Sequence, residues 1–296
     1  MVHRKALVRL KARSIEYYEQ RIIALKKSWP GLFETDISKI TAADCQRWAA
    51  RCRAANWSGS SFNHTLGLVR QVFDVAVGVG ARYDNPALSV PRERERHKKP
   101  QLLPGDQFEP FVKAIEDGGS GKSLPCAELV RFLAYTGCRK GEAAAVTWAD
   151  CDFDKGFIRV KGDAETGLKG REVGDFRLVP MIPELRALLT RLREERSGES
   201  NDSPVTRVRE CQKAMDRAAN LLAVPRPTHH TLRHLFATRC IESGVDIPTV
   251  ARWLGHKDGG ALAMKTYGHL RDQHSVNMAQ KVSFADLAPA ENAAQK

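Results

Sequence analysis

Apolar residues recur at alternating spacings of three and four along the first ninety residues. Ile15, Tyr18, Ile22, Leu25 and Trp29 fall on one stripe, which predicts a helix over 14–29 with Arg21, Lys26 and Lys27 outside it. Thr41, with Asp44 three residues on, predicts a capped second helix with Trp48 and Cys52 on its inner face. A third is predicted from Ser60 or Ser61 through Phe62, Leu66, Val69 and Phe73 to about Val77. Gly78 and Gly80 close it, and Asp84-Asn85-Pro86 is a turn. No strand pattern competes, so this stretch reads as a small all-helical unit.

Residues 91–100, PRERERHKKP, contain no hydrophobic side chain and read as an exposed basic linker. Beyond it the pattern changes. A helix opens at Pro104-Gly105-Asp106 and carries Phe108, Phe111, Val112 and Ile115; a buried helix over 129–135 is stopped by Thr136-Gly137; residues 143–146 continue as helix. Residues 157–160 and 176–179, rich in Val, Phe and Ile, predict two short strands joined by a glycine-studded hairpin loop. Residues 183–196 and 205–223 are expected as helices. From His229 onward three short helices are expected, broken at Ser243-Gly244 and at Asp258-Gly259-Gly260. The expectation is a mainly α protein of two domains, the second a mostly helical α+β domain with a small antiparallel sheet.

Composition narrows the class. With 296 residues, 42% hydrophobic and 28% charged, the chain has material for two ordinary cores. It has no run of 18 apolar residues and no signal-peptide pattern, so a cytoplasmic protein without membrane contact is expected. Seven scattered cysteines include no CxxC, and read as reduced, mostly buried thiols. The net charge of +12 is unevenly placed: residues 1–99 carry 19 Lys/Arg against 9 Asp/Glu, and the remainder 28 against 26. A basic first third points to a polyanion; a solubilising surface is the plainer alternative.

The candidate chemistry concentrates between His229 and Leu270, where five histidines, several arginines and one of five tyrosines gather. On one helix His230, Arg233 and His234 share a face. A metal site fits poorly. The DCDFD run from Asp150 has Lys155 where a calcium loop needs glycine and Lys161 where it needs glutamate. His230 and His234 have the spacing of a zinc helix, but Thr231 replaces the glutamate of HExxH and Arg233 lies between them. No GxxxxGK[ST] and no GxGxxG after a strand occurs, which removes support for a P-loop ATPase or a dinucleotide enzyme. Arginine, histidine and tyrosine without metal or cofactor suit a phosphodiester: guanidiniums for the non-bridging oxygens, a phenolate nucleophile and a proton for the leaving oxygen. Arg139, after the Gly137 helix stop, is the second candidate clamp, with Glu142 on its face as an ion-pair partner. Taken singly, such an arginine is more often a surface residue and such a tyrosine a core one.

Four segments in order, TGCRKGE (136–142), HTLRH (230–234), LGH (254–256) and TYGH (266–269), resemble the tyrosine recombinase, or phage integrase, family. The resemblance spans most of residues 101–285. It implies a core-binding domain over 1–90, a linker over 91–100, a catalytic domain over 101–285 and a flexible tail over 286–296. Tyr267 would be the nucleophile that forms a 3′-phosphotyrosyl bond, and Arg139 and Arg233 would bind the scissile phosphate. His230 would act on the tyrosine proton, and His256 would support the transition state. The family's general acid is a hairpin lysine shortly before an R-x-V-P strand. Lys169 in LKGREVGDFRLVP takes that place, with Lys161 as its rival, while His229 and His234 match no catalytic role.

The resemblance further implies double-stranded DNA as partner, a homo-tetramer when two sites are paired and a monomer or weak oligomer without DNA. Accessory DNA-bending or directionality proteins are further partners, and a nucleoid-associated location follows. The segment from Ser275 to Leu287 would pack on a neighbouring protomer. No separate arm-site-binding domain is expected before the first helix. Two other readings stand beside this one, a type IB topoisomerase and a non-catalytic DNA-binding protein of the same fold.

Overall fold

Trp48 sits at the centre of the first of two units into which the chain divides, Met1–Lys99 and Pro100–Lys296. The computed structural model describes residues 12–95, 101–161, 175–256 and 279–280. In the first unit, α1 (Ala12–Ser28), α2 (Ala42–Ala54) and α3 (Gly59–Gly78) enclose an apolar core. The Trp48 ring stacks between Trp29 and Phe62, at centroid distances of 5.6 and 5.5 Å, and its indole N–H donates to Ser28. Burying a ring of this size contributes about 3 kcal/mol, and its one polar atom is satisfied. α2 begins where expected, with the Thr41 hydroxyl accepting from the Asp44 amide and the Asp44 carboxylate accepting from the Thr41 amide. α3 begins earlier than expected, because Ser58, not Ser60 or Ser61, accepts from the amide of Ser61 and caps it. Of the α1 stripe, Leu25 and Trp29 are buried, while Ile22 stays more than a third exposed.

The first half of the expected linker is fastened to this unit. Asn63, buried in α3, accepts from the Glu93 amide and donates to the Glu93 carbonyl, both at 2.8 Å, and Arg53 pairs with the Glu93 carboxylate.

The second unit is built around α5 (Ser123–Thr136). Pro125 lies in its first turn, where no amide is needed, and ten of its fourteen residues are buried, so neighbours cover it on several sides. Those neighbours are α4 (Phe108–Glu116), α7 (Pro183–Glu195) and α9 (His229–Glu242). α6 (Lys140–Ala143), α8 (Gln212–Leu221) and α10 (Ile247–Leu254) complete the helices described here. A three-stranded antiparallel sheet runs in the order β1 (Cys151–Asp152), β2 (Phe157–Lys161), β3 (Phe176–Pro180). β2 and β3 are registered so that Ile158 faces Val179 and Val160 faces Arg177. Ile158, Val160 and Val179 are fully buried, which pins the register, since a one-residue slip would turn all three outward. The period of two then places Arg177 inward and leaves Phe176 and Leu178 about half exposed.

Three expectations need correction. The helix placed over 205–223 starts only at Gln212: the Val205 amide donates to the Val146 carbonyl and the Val205 carbonyl accepts from the buried Arg196, so neither is free for a helical bond. That contact also draws the chain out of helix after Ala143, so residues 144–146 form turns. Cys151–Asp152, outside the two expected strands, pairs with β2 as an edge strand and makes the sheet three-stranded. The 162–174 hairpin, the third helix after His256 and the tail lie outside the described residues.

Gly137 terminates α5 in the left-handed region at φ 63°, and a Cβ there would stand 2.5 Å from the Phe236 ring and 2.8 Å from Leu254. Gly137→Ala is therefore expected to lower stability by about 2–4 kcal/mol, strain and overpacking together. Gly67→Ala, inside α3 with open space around it, is expected to be neutral or to stabilise by up to about 1 kcal/mol. Urea unfolding of both variants checks the contrast.

Candidate active site

Two helix C-termini and one guanidinium form the frame of the site. α5 ends at Gly137 and α10 at Gly255, both in the left-handed conformation, and helix ends of this kind leave carbonyls pointing outward. Arg233 takes both. Its Nη1 donates to the Gly137 carbonyl at 2.7 Å and its Nη2 to the Leu254 carbonyl at 2.6 Å. A cation at the negative ends of two helices is favourable, and here it is buried. The segment that presents it, α9, is set by a capping box in which the Thr228 hydroxyl accepts from the Thr231 amide and the Thr231 hydroxyl accepts from the Thr228 amide.

A single carboxylate lies under these groups. Glu142 is buried; it accepts from the Arg139 amide at 2.8 Å, the Arg139 Nη1 at 2.7 Å and the Arg177 Nη2 at 2.7 Å, and Arg233 Nη1 stands 4.0 Å away. Burial alone would raise this carboxyl, but the Arg177 and Arg139 contacts overrule it and hold Glu142 down to about 2. Burial, followed by the like charge of Arg139, pulls Arg233 down to about 10, still cationic at neutral pH. Three guanidiniums around one carboxylate leave a local surplus of positive charge. Arg139, its side chain one-third exposed, is the member open to an anion, whereas Arg177 and Arg233 are almost fully enclosed. A phosphodiester carries one negative charge and the phosphorane formed by attack on it carries two, so such a site favours the transition state over the ground state.

The histidines gather at the same end. His230 and His234 meet edge to face at 4.6 Å on the first turns of α9. Burial, followed by the charges of His230, Arg233 and His256, pulls His234 down to about 4, so it is neutral near pH 7. His256 follows the left-handed Gly255, with its amide bonded to the Ala251 carbonyl. His229 faces elsewhere: its Nε2 lies 3.3 Å from the Cys211 sulfur and 3.2 Å from Glu210, which also pairs with Lys140. Lys161 places its ammonium 2.5 Å from the buried Asp150. Lys169 and Tyr267 lie outside the described residues. The structure thus brings Arg139 and Arg233 together, with His230 and His256 beside the neutral His234.

Arg177 was not singled out by sequence reasoning. Its signal was present, because in FRLVP an inward Val179 forces an inward Arg177. The apolar Phe176 and Leu178 on the opposite face masked it.

Comparison with known proteins shows the family of the chain. The model of the phage integrase family matches residues 101–274. Tyrosine recombinase XerD of Bifidobacterium longum is 28% identical over 246 residues, 76% of this chain and 76% of its own length. Tyrosine recombinase XerC of Xanthomonas campestris pv. campestris is 26% identical over 283 residues, covering 93% and 84%. In fold, the chain is similar to the Tn1549 transposon integrase solved in complex with transposon right end DNA, with a TM-score of 0.70 at 20% identity over 93% of this chain and 95% of that one. The chain belongs to the phage integrase family. Its enzymatic class is that of a tyrosine-type site-specific recombinase, mostly helical with a small three-stranded antiparallel sheet.

Glu142 gives the site a pH signature. Its folded value lies below the ordinary carboxylate range, so its stabilisation is complete above about pH 4.5 and is lost as pH falls toward 2. Glu142→Gln is expected to cost about 2–4 kcal/mol at neutral pH. It should also flatten the acid fall in stability between pH 5 and 3. Urea unfolding across that range checks both.

Proposed function

We propose that the chain cuts and reseals duplex DNA by two transesterifications, with Tyr267 as nucleophile and Arg139 and Arg233 on the scissile phosphate. The observation that carries this reading is the convergence of both arginines on Glu142, which builds a positive, carboxylate-organised cluster with Arg139 partly exposed. In the first step the Tyr267 phenolic oxygen attacks phosphorus, His230 takes its proton, and the bond from phosphorus to the 5′ oxygen breaks. A 3′-phosphotyrosyl bond forms, and the leaving 5′ oxygen receives a proton from Lys169. In the second step a 5′-hydroxyl from the exchanged strand attacks the same phosphorus and releases Tyr267. The phosphotyrosyl bond conserves the energy of the original diester, so no nucleotide triphosphate is consumed. His256 hydrogen-bonds the phosphate as negative charge builds on it.

Lys169 is the proposed acid, and the placement of Lys161 supports it. An ammonium held against a buried aspartate at the end of β2 has a structural partner already. The first unit, rich in Lys and Arg, is the proposed core-binding domain, with residues 91–100 leading into a catalytic domain over 101–285 and a tail over 286–296. Double-stranded DNA is the partner, a homo-tetramer assembles when two sites are paired, and accessory DNA-bending proteins assist. A cytoplasmic, nucleoid-associated enzyme is the corresponding location.

The test is covalent capture. On a nicked duplex taken from the DNA that flanks the gene, the parental chain is expected to form a 3′-linked protein–DNA adduct and Tyr267→Phe none. Arg233→Ala is expected to lower the adduct-forming rate about 10²–10³-fold. An adduct from Tyr267→Phe contradicts the assignment of the nucleophile. Relaxation of a plasmid that contains no such site, without exchange between two sites, would favour a topoisomerase.

A further inference from the structure

The proposed chemistry leaves the placement of the buried Arg177 unexplained. It sits on β3 opposite Val160, on a strand face otherwise occupied by aliphatic side chains. A buried cation in such a place is destabilising unless its charge and donors are matched. Arg177 has its charge and two of its three nitrogens matched, on α6 and α10, while its buried Nη1 has no partner among the described residues. Its Nη2 donates to Glu142 at 2.7 Å, on α6, and lies 3.8 Å from the Cys138 sulfur beside Arg139. Its Nε donates to the Trp253 carbonyl at 2.7 Å, in the last turn of α10. A Cβ at Gly255 would come within 3.0 Å of the Arg177 Cδ, so the stem of this side chain lies directly under the turn that delivers His256.

These contacts connect two separate parts of the site. One end of the guanidinium fixes the carboxylate that orients Arg139, and the other fixes the helix end from which His256 follows. Lysine cannot do the same, because one ammonium on a flexible stem lacks the planar fork that reaches a carboxylate and a carbonyl at once. Neutral replacements would leave Glu142 buried with one counter-ion fewer.

We propose that Arg177 is a positioning residue for DNA cleavage, holding Arg139 through Glu142 and His256 through Trp253 and Gly255 without touching DNA itself. This rests on the recombinase reading above. The groups that face Glu142 are Arg139 from α6, Arg177 from β3, Arg233 from α9 and the neighbouring Cys138 thiol. With Arg177 gone, burial is no longer offset as fully, and Glu142 takes up a proton at a higher pH than in the parental protein. Protonated, it ceases to anchor Arg139, and cleavage falls. The double variant, which lacks the Glu142 carboxylate, isolates the contribution of Glu142.

The experiment compares the full parental chain with Arg177→Met, Arg177→Lys and the double variant Glu142→Gln with Arg177→Met. The substrate is the same nicked flanking duplex, and single-turnover adduct formation is followed from pH 5 to 8. Affinity for the un-nicked duplex is measured by fluorescence anisotropy. Arg177→Met is expected to bind within about threefold of the parental chain and to cleave at least about 30-fold more slowly at pH 7.5. Its acid limb should be displaced upward into the pH 5 to 8 range, where Glu142 of the parental chain stays ionised, and the double variant should lack that displacement. Arg177→Lys should recover part of the rate. Cleavage by Arg177→Met within threefold of parental overturns the proposal, as does a loss with an unchanged pH profile or with a parallel loss of affinity. If Arg177→Met does not fold, the decision passes to Arg177→Lys. A folded lysine variant with slower cleavage and a displaced acid limb supports the proposal, and one with the parental rate and profile overturns it. Absence of any adduct from the parental chain is a different failure: it sinks the recombinase reading, and this inference with it.

Discussion

A carboxylate enclosed by protein stays ionised only where cations and amide donors surround it closely, and Glu142 is such a group. It stands where α6, β3 and α9 meet, and each of these supplies one arginine to it or beside it. Take the carboxylate away and three guanidiniums face one another, two of them buried. Take one arginine away and the remaining charges lose part of their reason for being where they are. The arrangement is mutual: the acid makes the cluster tolerable, and the cluster holds the acid ionised far below the ordinary carboxylate range. What is left over is positive charge next to a partly exposed Arg139, and that is the property a phosphodiester site needs.

The scaffold beneath depends on two glycines. Gly137 and Gly255 end α5 and α10 in a conformation that side chains resist, and each frees carbonyls nearby. Arg233 bonds to both helix ends, which fixes the distance between segments 96 and 21 residues away from it in sequence. Phe236 and Leu254 close over Gly137, leaving no room for a Cβ. The same small residues that end the helices therefore also bring the two halves of the site together. Charge organisation and helix termination are one problem in this fold.

Much of this was legible in the residues themselves. The α1 and α2 periodicities, the Thr41 cap, the Gly137 stop and the β2–β3 pair all follow from local pattern, because local hydrogen bonds and one-sided burial decide them. Glu142 was legible as an ion-pair partner, since three residues on a helix start separate it from Arg139. Among the parts that were not, two show why. The start of α8 was misplaced because the Val205 amide and carbonyl are taken by Val146 and Arg196, contacts that no local pattern announces. Arg177 was passed over because two apolar neighbours on its strand point outward, against the usual sense of alternation. Long-range partners, not propensity, decided both.

Glu142 remains a carboxylate because three arginines share it. The most direct test of this is a ¹³C NMR titration of the Glu142 side-chain carboxyl in the folded parental protein. The expected result is a shift that stays at the ionised value from neutral pH down to the acid unfolding limit, with no inflection near 4.5. A midpoint at or above the ordinary glutamate value would contradict the account, because the arginines would then not be organised by that charge.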